Sequence, residues 1–189
     1  MALDAAAESS LWADCLLAQR DRSPVFSPLG EARYALGLET IYEGYLVHYG
    51  RSRLFAPADD DTALLLGDYL YAHGVARISA LHDVAAVADL SELISLCSQV
   101  RAEESEEAAS AAGRAGGARQ KTPSAFGARC DGALWAATAA LLGRDALDEA
   151  RTALRLHADP QPLEAAARSA AGDEAVDTAL AAHAVRRAA

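Results

Sequence analysis

Apolar residues recur at intervals of three and four along most of this chain, the spacing that places side chains on one face of an α-helix. The clearest such stripe comprises Val84, Val87, Leu90, Leu93, Ile94, Cys97 and Val100. No segment alternates apolar and polar residues for long enough to indicate a strand. Alanine, the strongest helix former, supplies 47 of the 189 residues. The sequence therefore predicts an all-α helical bundle, formed by residues 1–189 as one domain.

Helix start and stop signals divide the chain into segments. Ser27-Pro28 is typical of a helix start and Gly50 of a stop, while Asp59-Asp60-Asp61 and Asp83 favour two further starts. A like-charge cluster at 103–107, followed by an Ala/Gly/Arg stretch, predicts a flexible loop at about 103–120. The predicted helices cover residues 4–19, 28–49, 59–78, 83–100, 122–142, 145–157, 161–171 and 173–187.

Charge and composition argue against several classes of protein. The formal net charge of -10 disfavours nucleic-acid binding, because such a surface repels phosphates. No run approaches the roughly 20 apolar residues of a membrane helix, and the first residues do not resemble a signal peptide. The cysteines Cys15, Cys97 and Cys130 match no zinc-binding or CxxC spacing. We expect a cytoplasmic protein without a membrane span or a metal.

Common catalytic motifs are absent from the sequence: it contains no HExxH, no GxSxG and no phosphate-binding GxxxxGK[ST]. The run Asp59-Asp60-Asp61 is interpreted as a helix cap, because consecutive helical residues point in different directions and cannot all face one cation. Tyr42, Tyr45 and Tyr49 share a helical face. They are expected either to pack in the core or to line an apolar pocket.

Three stretches, in the same order, resemble the trans-polyprenyl diphosphate synthase family. The first is YEGYLVHYGRSR (42–53), in which His48 stands where the family has a histidine before an aspartate-rich motif. The second is ALLLGDYLYAHGVARISAL (63–81), with a Gly67-Asp68 pair. The third is Lys121-Thr122, which contains the only lysine in the chain and precedes Phe126. The resemblance implies an isoprenoid-synthase-like helical bundle, shortened at the C-terminus.

The departures from the family concern its metal site. In these synthases, two aspartate-rich motifs hold Mg²⁺ ions, which neutralise the diphosphate that leaves. Here Tyr49, Gly50 and Arg53 stand where the first motif would have aspartates. The segment 142–149 contains carboxylates but no DDxxD. We therefore expect no catalytic residues and no metal ligands, with Mg²⁺ required only if the chain is active after all.

The resemblance implies a non-catalytic accessory subunit of isoprenoid biosynthesis that pairs with a homologous catalytic prenyl synthase, or with itself. The apolar stripe of residues 84–100 is the predicted docking face. One alternative is a residual prenyltransferase that condenses isopentenyl and allylic diphosphates with unfamiliar ligands, such as Asp59, Asp60, Asp61 or Asp68.

A further alternative is a helical module that binds an isoprenoid, a lipid or another protein. Arg51 and Arg53 would then hold an isoprenyl diphosphate directly through charge-assisted hydrogen bonds; the other possibility is that both are solvated arginines beyond a helix end. The resemblance adds Lys121 and Thr122 as candidate diphosphate-binding residues.

Overall fold

The computed structural model describes the backbone of residues 9–115 and 125–187, and the side chains of residues 9–103 and 130–187. Within these ranges the regular elements are helical, with one isolated antiparallel bridge between Leu16 and Phe55. The prediction of an all-α helical bundle is confirmed. The α-helices are α1 (Ser10–Asp14), α2 (Ala35–Tyr49), α3 (Asp60–Ser79), α4 (Val84–Ala115), α5 (Ala125–Leu141), α6 (Asp148–His157), α7 (Gln161–Ala171) and α8 (Asp173–Arg187).

Two aspartates cap helices where the sequence predicted starts. The Asp59 side chain accepts a hydrogen bond from the Thr62 backbone N–H at 2.7 Å, at the start of α3. Asp83 accepts from the Ala86 backbone N–H at 3.0 Å, at the start of α4. Each carboxylate also lies at the positive end of its helix dipole.

Two predicted helices before α3 are shorter in the structure. Residues 4–8 of the predicted helix 4–19 lie outside the described part of the chain. From residue 9 onward the helix is confined to α1, and the backbone N–H of Leu17 donates to the Leu54 carbonyl instead of continuing it. The predicted helix 28–49 begins at Ala35, after the 3-10 turns Ser27–Leu29 and Ala32–Tyr34.

The prediction of a flexible loop at about 103–120 is wrong for residues 103–115, since α4 continues to Ala115. Alanine and glutamate dominate this stretch, and their helix propensity outweighs the like-charge repulsion. A side-chain hydrogen bond of 3.0 Å from Gln99 to Glu103, four residues apart, supports the helix where it passes the predicted boundary. Residues 116–120 lie outside the described part of the chain.

Helices α2 and α3 pack closely because glycines face each other across the contact. A Cβ atom on Gly44 would lie 2.9 Å from the Gly67 carbonyl oxygen, and one on Gly74 would lie 2.9 Å from the Gly37 carbonyl oxygen. Within each helix the two glycines are seven residues apart, which is two helical turns. The absent side chains allow the two backbones to approach.

The main core contains an aromatic centre in which Phe26, Tyr42, Tyr45 and Trp135 lie within about 6 Å of their ring neighbours. A smaller cluster joins Trp12 and Cys15 to the segment around Phe55 and to α3. None of the described helices is both long and apolar enough to cross a membrane.

From Val87 onward, the apolar stripe of α4 faces the core. Leu90, Leu93 and Cys97 are almost completely buried, so the prediction that residues 84–100 dock through this stripe is wrong. The stripe is apolar because it packs against the rest of the bundle.

Candidate functional site

Three positions that carry the family resemblance lie together between α2 and α3. The His48 Nε2 atom is 3.2 Å from Asp68 Oδ1, and a Cβ atom on Gly67 would lie only 2.4 Å from His48 Nε2. The His48 ring also contacts Tyr49 and Tyr71, with centroids 5.5 and 5.2 Å apart. Burial lowers the pKa of His48 although Asp68 opposes this effect. A side chain at residue 67 would therefore require the His48 imidazole to move.

Arg53 is buried and ion-paired, which contradicts its prediction both as a diphosphate-binding residue and as a solvated arginine. Its Nη2 atom lies 2.7 Å from Glu39 Oε2, and its Nε atom donates to Glu43 Oε1. Its guanidinium carbon also lies 5.2 Å from the Tyr42 ring centroid. The residue is 3% exposed. The carboxylates of Glu39 and Glu43 therefore neutralise the Arg53 guanidinium, and a ligand in solvent cannot reach this side chain.

Glu39 links the same network to the segment before α2. Its Oε1 atom accepts hydrogen bonds from the backbone N–H groups of Val25, Phe26 and Ser27, at 3.0, 3.0 and 2.8 Å. Sequence reasoning did not find Glu39 and Glu43; the only signal was a pair of glutamates four residues apart on an otherwise apolar helix. Through these hydrogen bonds and ion pairs, Glu39 and Glu43 hold residues 25–27 and Arg53 against α2.

Arg51 is exposed, whereas Arg53 is buried. Its backbone N–H donates to the Arg186 carbonyl oxygen at 2.9 Å, and the Arg186 side chain pairs with Asp21. Within the described residues, the Arg51 side chain makes no hydrogen bond or ion pair. The structure thus separates the two arginines that were predicted to act together.

A second buried polar cluster joins α2, α5 and α8. The Tyr45 hydroxyl donates to Asp131 Oδ2 at 2.6 Å, and Arg187 Nη2 lies 2.8 Å from the same oxygen. The Tyr42 hydroxyl and His183 Nδ1 are 3.0 Å apart. These contacts favour core packing, with satisfied hydroxyls, over an apolar pocket wall. Sequence reasoning missed Asp131, His183 and Arg187, because their partners are more than 50 residues away in the chain.

The candidate metal ligands do not converge. Among the described residues, no group of three or more histidine, cysteine, aspartate or glutamate side chains is arranged to hold a metal ion. Asp59 caps α3, Asp60 and Asp61 lie in its first turn, and Asp68 faces His48. Lys121 and Thr122 lie outside the described residues.

The second half of α3, the turn after it and the first part of α4 share one property. Between residues 72 and 102, no exposed residue is an aspartate, glutamate, lysine or arginine. We refer to these positions as the uncharged surface: Ala72, Ala76, Ser79, Ala80, Leu81, His82, Val84, Ala88, Ser91, Ser95, Gln99 and Ala102. Val84 is 82% exposed, and the charged residues of the same stretch are buried or half-buried. Residues 72–102 lie in the longest stretch of the described sequence in which no exposed residue is an aspartate, glutamate, lysine or arginine.

Neither a protein-family model, nor a curated protein, nor a solved structure matches this chain. The relation to the prenyl synthases therefore stays a prediction from the quoted sequence motifs.

Proposed function

We propose that this chain is a non-catalytic helical subunit that pairs with another protein through the uncharged surface of α3 and α4. The observation that carries the proposal is the absence of exposed aspartate, glutamate, lysine and arginine between residues 72 and 102, in a chain whose net charge is -10. The centres of protein interfaces are depleted in charged residues, because charges are costly to remove from water. This surface can be buried without that penalty.

The size of the side chains also suits helix-to-helix contact. Most of the uncharged surface is alanine or serine, with larger apolar side chains at Leu81 and Val84. Small residues let a partner helix approach closely, and the larger ones supply apolar area. The partner is expected to present a similarly uncharged helical face.

We propose a homologous catalytic prenyl diphosphate synthase as that partner, on the basis of the sequence resemblance. The non-catalytic role is supported by Arg53, which stands where the family has an aspartate. Arg53 neutralises Glu39 and Glu43 inside the protein. That position therefore contributes a paired cation to the core, whereas Mg²⁺ binding requires free carboxylates.

The test is co-expression of the full chain with a tagged prenyl synthase from the same genome. We expect co-elution that is lost in Ala88→Arg, which places a charge on the uncharged surface, and retained in Ala181→Arg, an exposed alanine of α8. Co-elution that is equal for both variants, or no co-elution with any synthase of that genome, would overturn the proposal. Magnesium-dependent condensation of isopentenyl and allylic diphosphates by the purified chain would favour the prenyltransferase alternative.

A second candidate function is direct binding of an isoprenyl diphosphate, which the exposure of Arg51 beside the end of α8 favours. Arg51 has a free guanidinium among the described residues and can form charge-assisted hydrogen bonds. Calorimetric titration with farnesyl diphosphate tests this, with Arg51→Ala compared against Arg144→Ala, a half-exposed arginine elsewhere. Equal affinity for the two variants would remove this candidate.

A further inference from the structure

A groove of about 550 Å³ lies between the segment 24–28 and the first part of α8. Pro24, Val25 and Pro28 form one wall, and alanines of α7 and α8 form the other. The lining of α8 extends from Asp173 to Ala182, which corresponds to roughly 14 Å along a helix. The volume is in the range of small-molecule sites, roughly 300–1,000 Å³. The groove is therefore elongated along α8 and lined mostly by apolar residues.

Both walls are held in place by buried contacts. The backbone N–H groups of Val25, Phe26 and Ser27 all donate to Glu39, which fixes the proline-containing wall. On the other wall, Val176 and His183 of α8 are buried in the core. The groove is preformed, so a ligand would not need to order its walls.

The ionisable groups that line the groove are two carboxylates at one end, Asp173 and Glu174. Arg168 lies 3.5 Å from Asp173 but is closer, at 2.7 Å, to both Glu164 and Asp177. Glu174 makes no ion pair among the described residues. The Thr178 hydroxyl already donates to the Glu174 carbonyl oxygen.

We propose that this groove binds a small amphiphile made of a linear hydrocarbon body and one ammonium group. The hydrocarbon lies between the prolines and the alanines of α8, and the ammonium lies beside Asp173 and Glu174. This ligand class is opposite in charge to a diphosphate, which the two carboxylates repel. The groove is also formed by helices other than those of the uncharged surface, so the two sites are independent.

The test is a titration of the isotope-labelled full chain with octylammonium, octanoate and 1-octanol, followed by backbone NMR. We expect octylammonium to shift the amide signals of residues 172–182 and to bind more tightly than octanol, with octanoate the weakest. The common hydrocarbon body isolates the contribution of charge.

Two pairs of variants separate charge from shape. Asp173→Asn with Glu174→Gln should weaken octylammonium binding about fivefold and leave octanol binding unchanged. The matched control is Asp60→Asn with Asp61→Asn, an acidic pair in the first turn of α3. Ala175→Leu should fill the groove and abolish binding of all three probes, whereas Ala181→Leu, an exposed position of α8 outside the groove, should not.

Circular dichroism melts of each variant establish that it is folded before binding is compared. Equal affinity for octylammonium and octanoate, signal shifts that avoid residues 172–182, or unchanged binding in Ala175→Leu would each overturn the proposal.

Discussion

Arg53 Nη2 and Glu39 Oε2 are 2.7 Å apart, and both side chains are only 2% exposed. A buried ion pair adds little net stability over an apolar replacement of both partners, because each charge loses its hydration. Removal of one partner is different, since the remaining charge stays buried without compensation.

Replacement of Arg53 by methionine should therefore destabilise the protein strongly. Arg53→Met leaves Glu39 and Glu43 buried without their cation, and we expect a loss of about 3–5 kcal/mol in the free energy of unfolding. Urea unfolding monitored by circular dichroism measures this. The exposed Arg51 is the matched control, and Arg51→Met should change stability by less than about 0.5 kcal/mol. Equal effects of the two substitutions would contradict the burial of Arg53.

Gly74→Ala tests the close contact of α2 and α3. Helix propensity alone favours alanine over glycine by about 1 kcal/mol. A Cβ atom at residue 74, however, would lie 2.4 Å from Ile41 Cγ1 and 2.9 Å from the Gly37 carbonyl oxygen. We therefore expect a net loss of about 1–3 kcal/mol in thermal or urea unfolding.

The control for Gly74 is Gly132→Ala in α5. Its nearest contact would be Leu180 Cδ2 at 2.9 Å, the end of a flexible side chain that can move. We expect this substitution to be close to neutral. A stabilised Gly74→Ala variant would show that the two helices are not in backbone contact at this position.

His183 should make stability depend on pH. Burial, followed by the charges of Arg187 and Arg101, lowers the pKa of His183 from 6.5 to about 3. In the unfolded chain the imidazole takes up a proton below about pH 6.5. The contribution of neutral His183 is therefore complete above that pH and is lost as the pH falls towards 3, by about 1.4 kcal/mol per pH unit.

The measurement compares the pH dependence of urea unfolding for the wild type and His183→Gln, whose amide can also form a hydrogen bond with the Tyr42 hydroxyl. The wild type should lose stability more steeply between pH 6.5 and 5. Parallel pH profiles would mean that His183 has the same pKa in the folded and the unfolded protein.

Trp12 should control access to Cys15. The Trp12 ring packs edge-on against Phe55 and Tyr69, with centroids 5.1 and 6.0 Å apart, and Cys15 is buried in the same cluster. Trp12→Ala removes this anchor, and we expect local opening of the segment around α1 with an increase of at least about tenfold in the rate at which a thiol reagent modifies Cys15.

Two comparisons make the Cys15 result specific. Cys97 and Cys130 are buried in the main core and should stay protected in Trp12→Ala. The exposed Leu64 provides the control variant, and Leu64→Ala should leave all three rates unchanged. Faster modification of all three cysteines would indicate global rather than local destabilisation.

The sequence was sufficient to predict the parts of the fold that depend on local spacing. The three-and-four periodicity predicted the all-α class, and the capping aspartates Asp59 and Asp83 marked two helix starts. The sequence predicts too short an α4, because the like charges at 103–107 indicate a break, whereas the helix propensity of the alanines that follow extends the helix to Ala115. Whether the 84–100 stripe faces the core or a partner protein cannot be predicted from the sequence, since a core face and a docking face have the same periodicity.

The site was less predictable because its contacts join distant residues. Arg53 and Glu39 are separated by a helix end and a turn, and nothing in their spacing indicates that both turn inward. Asp131 and Arg187 are 56 residues apart. By contrast, the proximity of His48 to Gly67 and Asp68 was consistent with the order of motifs, because the short connection between α2 and α3 leaves the two helices adjacent.

The position of Glu39 has a consequence for how the protein unfolds. One of its oxygens holds the backbone of residues 25–27, and the other holds Arg53, so a single carboxylate on α2 ties together three stretches that are separate in the chain. Loss of any one stretch weakens the hold on the other two. Hydrogen exchange in these stretches is therefore expected to report one cooperative unit, which opens in a single step.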